Sequence, residues 1–242
     1  LMNKKTANIA IAAGVAAAFL SKGRILGGQN TLETQSKVYY HGTPSKEAAE
    51  SILQSGIQPP DLSSRRGTLT PVQGKVYITP FIEYAQIYAI GGNLAGNDGS
   101  TMIDNYGKYG YVFVINSDRL GEVQPDEDSI GEMIYENKIS WLNKMAKYYL
   151  DEEPYDDEGQ ELGYYSLYQA VMGGEYDAWA TAGKILVEEM NDGEKQKLID
   201  AGAHIAHTGL ILPNKAYRID RSKTIHLKRD GSNFFALAQE IT

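Results

Sequence analysis

The spacing of apolar residues changes repeatedly along this chain, and each change predicts an element. Val38 to His41 is a short strand stopped by Gly42, and Ser45 to Gln54 places Ala48, Ala49, Ile52 and Leu53 on one side of a helix that Gly56 ends. Pro59-Pro60 and the stretch from Ser63 to Gly67 form a loop. Lys75 to Thr79 returns as a strand, and Pro80 opens a helix that carries Tyr84, Ala85 and Tyr88 before Gly91-Gly92. Asn93 to Lys108, rich in Gly, Asn and Asp, is a loop, and Gly110 to Asn116 is a buried strand of Val, Phe and Ile.

Beyond that strand the pattern turns helical. The acidic motif Gln124 to Glu132 leads into an amphipathic helix through Trp141 and Tyr149, with Ser129 and Glu132 at capping-box spacing. Asp151 to Gly163 is an acidic connector, Tyr164 to Met190 holds further helix, and Glu194 to Ala201 is a short helix closed by Gly202. Strand patterns resume at His204 to Leu212, Ala216 to Ile219 and Thr224 to Leu227. This order predicts an α+β domain over 37–242 with a helical insert at about 130–201.

Residues 1–36 form a separate segment. Asn3-Lys4-Lys5 precedes an Ala-rich apolar run, Ala7 to Leu20, and a polar, Gly-containing linker follows from Ser21 to Ser36. As a helix the run would reach about 21 Å, against a hydrocarbon core of about 30 Å. It is too short for a membrane span, while a packed helix and a targeting or lipid-facing segment both remain open. The location of the protein, cytoplasmic or delivered outside the cell, is not fixed by the sequence. The net charge of -8 and the lack of a Lys/Arg run argue against stable nucleic-acid binding. With no cysteine, thiolate chemistry is excluded, and the histidines at 41, 204, 207 and 226 lack a metal-binding spacing, so no metal is expected.

One ordered series carries candidate chemistry. Tyr39-Tyr40-His41-Gly42-Thr43 is followed by a helix ending in Gly56-Ile57, then Val76-Tyr77-Ile78-Thr79, then Tyr84-Ala85 and Tyr88-Ala89. The series resembles the histidine-tyrosine branch of the ADP-ribosyltransferase fold, shared by diphtheria-type toxins and poly-ADP-ribose polymerases, over about residues 37 to 116 and more loosely the last strands. The resemblance implies a split antiparallel β core that binds NAD as substrate and releases nicotinamide. By it, His41 bonds an adenosine-ribose hydroxyl, Gly42 offers backbone groups to the nicotinamide amide, Thr43 completes the motif, and Tyr77 and Tyr88 sandwich the ring.

The family also uses a glutamate that steadies the oxocarbenium-like ribose. It lies in a late strand before a Gly-x-Ile-x-Pro-like pattern. Here Gly209 to Pro213 is preceded by Ala203, His204 and His207, with no acid. The role then falls to Glu127 in Asp126-Glu127-Asp128, or in part to His204, with Glu132 as a further acid. Ordinary roles stand beside these: core aromatics for Tyr77 and Tyr88, a helix-capping acid triplet, and structural histidines.

Three functions follow. The first is a mono-ADP-ribosyltransferase acting on a protein or nucleic-acid acceptor, with Arg65 and Arg66 near the acceptor entrance; with water as acceptor the same site is a glycohydrolase. The second is a catalytically degenerate module in a larger assembly, joined through the N-terminal helix. An RNA 2'-phosphotransferase ranks lower, because that family relies on several arginines.

Overall fold

A computed structural model describes residues 37–60, 72–90, 106–150, 166–224 and 234–241 of the chain. The N-terminal segment 1–36, Arg65 and Arg66, most of the Asn93 to Lys108 loop and the acidic connector lie outside the described residues. The fold is mixed, with two antiparallel sheets and helices. The chain divides into two compact units: a helical one, Gln124–Ala203, and a sheet unit formed by the described residues before and after it.

In the sheet unit, β1 (Val38–Thr43), β3 (Tyr109–Asn116), β6 (Lys215–Asp220) and β7 (Gln239–Ile241) make one sheet in the order β1-β3-β6-β7. The second sheet has the order β2-β5-β4, from β2 (Lys75–Ile78), β5 (Ile205–Thr208) and β4 (Val123–Pro125), a strand that begins at Val123 in this unit and ends in Gln124 and Pro125 of the other. β1 pairs with β3 with His41 opposite Phe113, and β2 pairs with β5 with Tyr77 opposite Ala206. Helix α1 (Lys46–Ser55) starts at Ser45, whose hydroxyl accepts from the Ala48 N–H at 3.2 Å, and ends at Gly56, where φ is 80°. It buries Ala49 and Ile52; an Ile side chain buried in this way contributes about 2 kcal/mol. Helix α2 (Ile82–Ile90) lays Ala85 and Ala89 in a core with Val112, Ile219 and Phe234.

In the helical unit, α3 (Glu127–Tyr135), α4 (Ser140–Leu150), α5 (Leu167–Met172), α6 (Tyr176–Glu189) and α7 (Asp192–Asp200) surround Ile130, Ile134, Leu142, Leu186 and Leu198. Two glycines set the approach of α3 to α6. A Cβ on Gly183 would stand 1.6 Å from the Glu127 carbonyl oxygen, and one on Gly131 would stand 2.6 Å from that of Trp179. The Trp179 indole N–H donates to the Val171 carbonyl at 3.0 Å.

Several boundaries differ from expectation. The helix expected to run through Trp141 and Tyr149 is two helices, broken after Glu136 by Asn137 at φ 52°. Asp126, and not Ser129, caps α3; its Oδ1 accepts from the Asp128 N–H at 3.0 Å. The Tyr164 to Met190 helix divides at Gly173-Gly174. Thr224, expected to open a strand, instead ends the short helix α8 (Arg221–Thr224), and residues 225–227 lie outside the described residues. The helical turn α9 (Phe234–Leu237) precedes β7.

Candidate functional site

The two sheets meet in a fork beside His41. The Tyr40 N–H donates to the Thr79 carbonyl at 2.7 Å and the Thr79 N–H to the Tyr40 carbonyl at 3.0 Å, an isolated antiparallel bridge. Continued in register, β1 and β2 would next exchange hydrogen bonds between Gly42 and Tyr77. The bridge stays isolated, and His41 Nδ1 lies 3.2 Å from the Tyr77 carbonyl oxygen. A carbonyl only accepts, so in this contact Nδ1 carries a proton and donates it. Backbone groups alternate in direction along a strand. Gly42, two residues beyond Tyr40, therefore aims its N–H and C=O away from β3, along an edge that β2 leaves open among the described residues.

Helix α2 walls the fork on the face shared by Tyr40 and Gly42. A Cβ on Gly42 would stand 1.9 Å from the Ala85 carbonyl oxygen, and one on Gly110 would stand 2.0 Å from that of Ala89. Only glycine lets backbone meet backbone at these two points. Arg221, 1% exposed, secures the same corner. Its guanidinium donates to the carbonyls of Pro44 at 2.5 Å, Ala89 at 3.1 Å, Tyr106 at 3.0 Å and Gly107. The Ala89 carbonyl belongs to the last turn of α2, where the helix dipole favours a cation. Burial lowers the Arg221 pKa from its usual value.

The other flank of α2 is aromatic. Tyr84 meets His204 edge-on with ring centroids 4.5 Å apart, and Phe81 lies 6.1 Å from the same imidazole. Burial pushes the His204 pKa down to about 4, so its ring is neutral at pH 7. Tyr88, one helical turn beyond Tyr84, is 60% exposed. The Tyr77 hydroxyl accepts from the Val72 N–H at 2.9 Å, which fixes the direction of its ring. Thr43 is buried, and its hydroxyl accepts from the Ser45 N–H at 3.4 Å, in the turn into α1. The sheet unit thus holds His41, Gly42, Thr43, Tyr77, Tyr88 and His204.

Glu127 belongs to the helical unit. It is the first residue of α3 and is buried. Its neighbours titrate high: Asp126 is pushed up to about 8 by burial and then by Asp128, Asp128 to about 6 by burial and then by Glu127, and Glu132 to about 7 by burial and then by Glu136.

Among the described residues no group of His, Asp and Glu is placed to hold a metal ion, and no helix is long and apolar enough to cross a membrane. No protein-family model, curated protein or solved structure matches the chain. Sequence reasoning missed Arg221 and Gly110. Gly110 had a signal in the Ala85/Ala89 pair, small residues one turn apart on the helix that crosses it. Arg221 had none, because its partners are backbone carbonyls from three distant segments.

Proposed function

We propose that this chain is an ADP-ribosyltransferase of the histidine-tyrosine type, which cleaves NAD, releases nicotinamide and passes ADP-ribose to a macromolecular acceptor. The observation that carries the reading is the open edge at Gly42. One residue offers an N–H and a C=O side by side, a donor and an acceptor that complement the primary carboxamide of nicotinamide. In its neutral form His41 would accept from a ribose hydroxyl through Nε2, while Tyr88, exposed on the α2 flank, and Tyr77, fixed through its hydroxyl, would hold the ring between them.

In the reaction the bond from the anomeric carbon to the pyridinium nitrogen breaks, and its electron pair neutralises the leaving ring. The acceptor nucleophile forms the new bond at that carbon and gives up its proton. A carboxylate is needed to steady the positive charge between these events. Glu127 remains the proposed group, with His204 as a neutral polar partner in the sheet unit.

The test is nicotinamide release from NAD by the purified chain, with His41→Ala, Glu127→Gln and His204→Ala at matched concentration. We expect loss of about a hundredfold or more for His41→Ala, the scale of a lost polar contact to a transition state. Nicotinic acid should bind at least tenfold more weakly than nicotinamide, because its carboxylate would face the Gly42 carbonyl. If the chain neither binds nor cleaves NAD, the reading falls.

A second reading, a module that keeps the fold without turnover, is favoured by β5, whose Ile205-Ala206-His207-Thr208 carries no acid. NAD binding without nicotinamide release, with any acceptor in a cell extract, would select it.

A further inference from the structure

Steric contact limits how near α2 can come to the sheet, but contact alone does not hold it there. The bare α-carbons of Gly42 and Gly110 abut the carbonyls of Ala85 and Ala89, and such meetings fix only a smallest distance. A largest distance needs attraction, and Arg221 supplies it. Its Nη2 donates to the Pro44 carbonyl at 2.5 Å and to the Ala89 carbonyl at 3.1 Å. Pro44 stands two residues after Gly42, and Ala89 directly follows Tyr88. One amino group thus bridges the segment that carries Gly42 and the segment that carries Tyr88. The two already lie close, since a Cβ on Gly42 would stand 3.0 Å from the Ala89 nitrogen, the atom bonded to the Tyr88 carbonyl carbon.

The guanidinium reaches out from a fixed point. The Arg221 N–H donates to the Lys108 carbonyl at 3.0 Å, just beyond the Tyr109–Asp220 pair that ends the β3–β6 ladder. Nη1 donates to the carbonyls of Tyr106 and Gly107, which lead into β3. Arg221 is 1% exposed, so water does not compete for these oxygens. A guanidinium holds its donors in a rigid plane, whereas a lysine ammonium turns on its stem and has three hydrogens for four carbonyls.

We infer, on the reading of Gly42 and Tyr88 as contacts to nicotinamide, that Arg221 is a positioning residue which sets their spacing and thereby selects a carboxamide attached directly to the ring. Gly42 would meet the carboxamide and Tyr88 the ring. Two such contacts reinforce each other only when their separation matches that in the ligand. In 3-pyridylacetamide the same two groups stand one methylene further apart. A fixed spacing rejects it, and a slack one does not.

The experiment is NMR titration of the full chain with nicotinamide and with 3-pyridylacetamide, in the parent, Arg221→Lys and Ile219→Val. Ile219 lies in the core under α2 and makes the last a control that loosens the same packing. The parent should bind nicotinamide about tenfold or more tighter than the longer amide. In Arg221→Lys that preference should fall towards equality through loss of nicotinamide affinity, while Ile219→Val melts lower and keeps the preference. Coupling is reciprocal, so nicotinamide should also slow hydrogen exchange at the Arg221 Nη groups of the parent, and the longer amide should not. This exchange measurement decides the matter even if Arg221→Lys does not fold. No preference in the parent, an unchanged preference in Arg221→Lys, or a loss shared equally by both amides would overturn the positioning role and leave a nicotinamide site standing. Failure of the parent to bind nicotinamide would remove the site and the role with it.

Discussion

Glycine at 42 answers two demands at once, and a single methyl group separates them. Its open N–H and C=O are backbone groups that any residue has, whereas its bare α-carbon is needed because Ala85 O would lie 1.9 Å from a Cβ. Gly42→Ala should therefore push α2 off β1 and lower stability by about 1–3 kcal/mol, the usual cost of overpacking. A thermal melt checks this, and an unchanged melting temperature would mean that α2 is not seated as described. Residue chemistry was legible here only in part. His41 and Gly42 stood out by their neighbours in sequence, but the contact that makes glycine obligatory comes from a helix more than forty residues later. Arg221, a charge held by backbone oxygens, has no local pattern to betray it.

At the scale of elements, strand and helix positions were largely readable, because Val38 to His41, Lys75 to Thr79 and Gly110 to Asn116 carry their own apolar runs and turn residues. Ends and breaks were not. Asn137 at φ 52° splits one expected helix, and the cap of α3 falls on Asp126 because its oxygen, not that of Ser129, reaches a free N–H of the first turn. That first turn has a measurable consequence. Asp126, Asp128 and Glu132 have folded values near 8, 6 and 7, above those of unfolded carboxylates at about 4. The folded state then keeps protons that the unfolded state has released, so the contribution of these three acids to stability is fully present below about pH 4 and is lost as pH rises towards 8. Thermal melts of the chain from pH 5 to pH 8 should show a falling midpoint, and Asp126→Asn should flatten the upper part of that fall. A midpoint that rises over this range would contradict the burial of these acids.

For the whole molecule, composition and element order gave the α+β class, while the division between two sheets was not visible in any single segment. It depends on where pairing between β1 and β2 stops, and that point is one imidazole. By donating to the Tyr77 carbonyl, His41 occupies the position that the Gly42 N–H would take in a continuing ladder. Remove that ring, and the strands are free to close like a zipper whose stop has been taken out, joining β7-β6-β3-β1 to β2-β5-β4 in one seven-stranded sheet. His41→Val should accordingly melt higher than the parent and protect the Gly42 amide from hydrogen exchange, while losing any affinity for nicotinamide. On this account the fork is an unfinished sheet, held open at a single side chain.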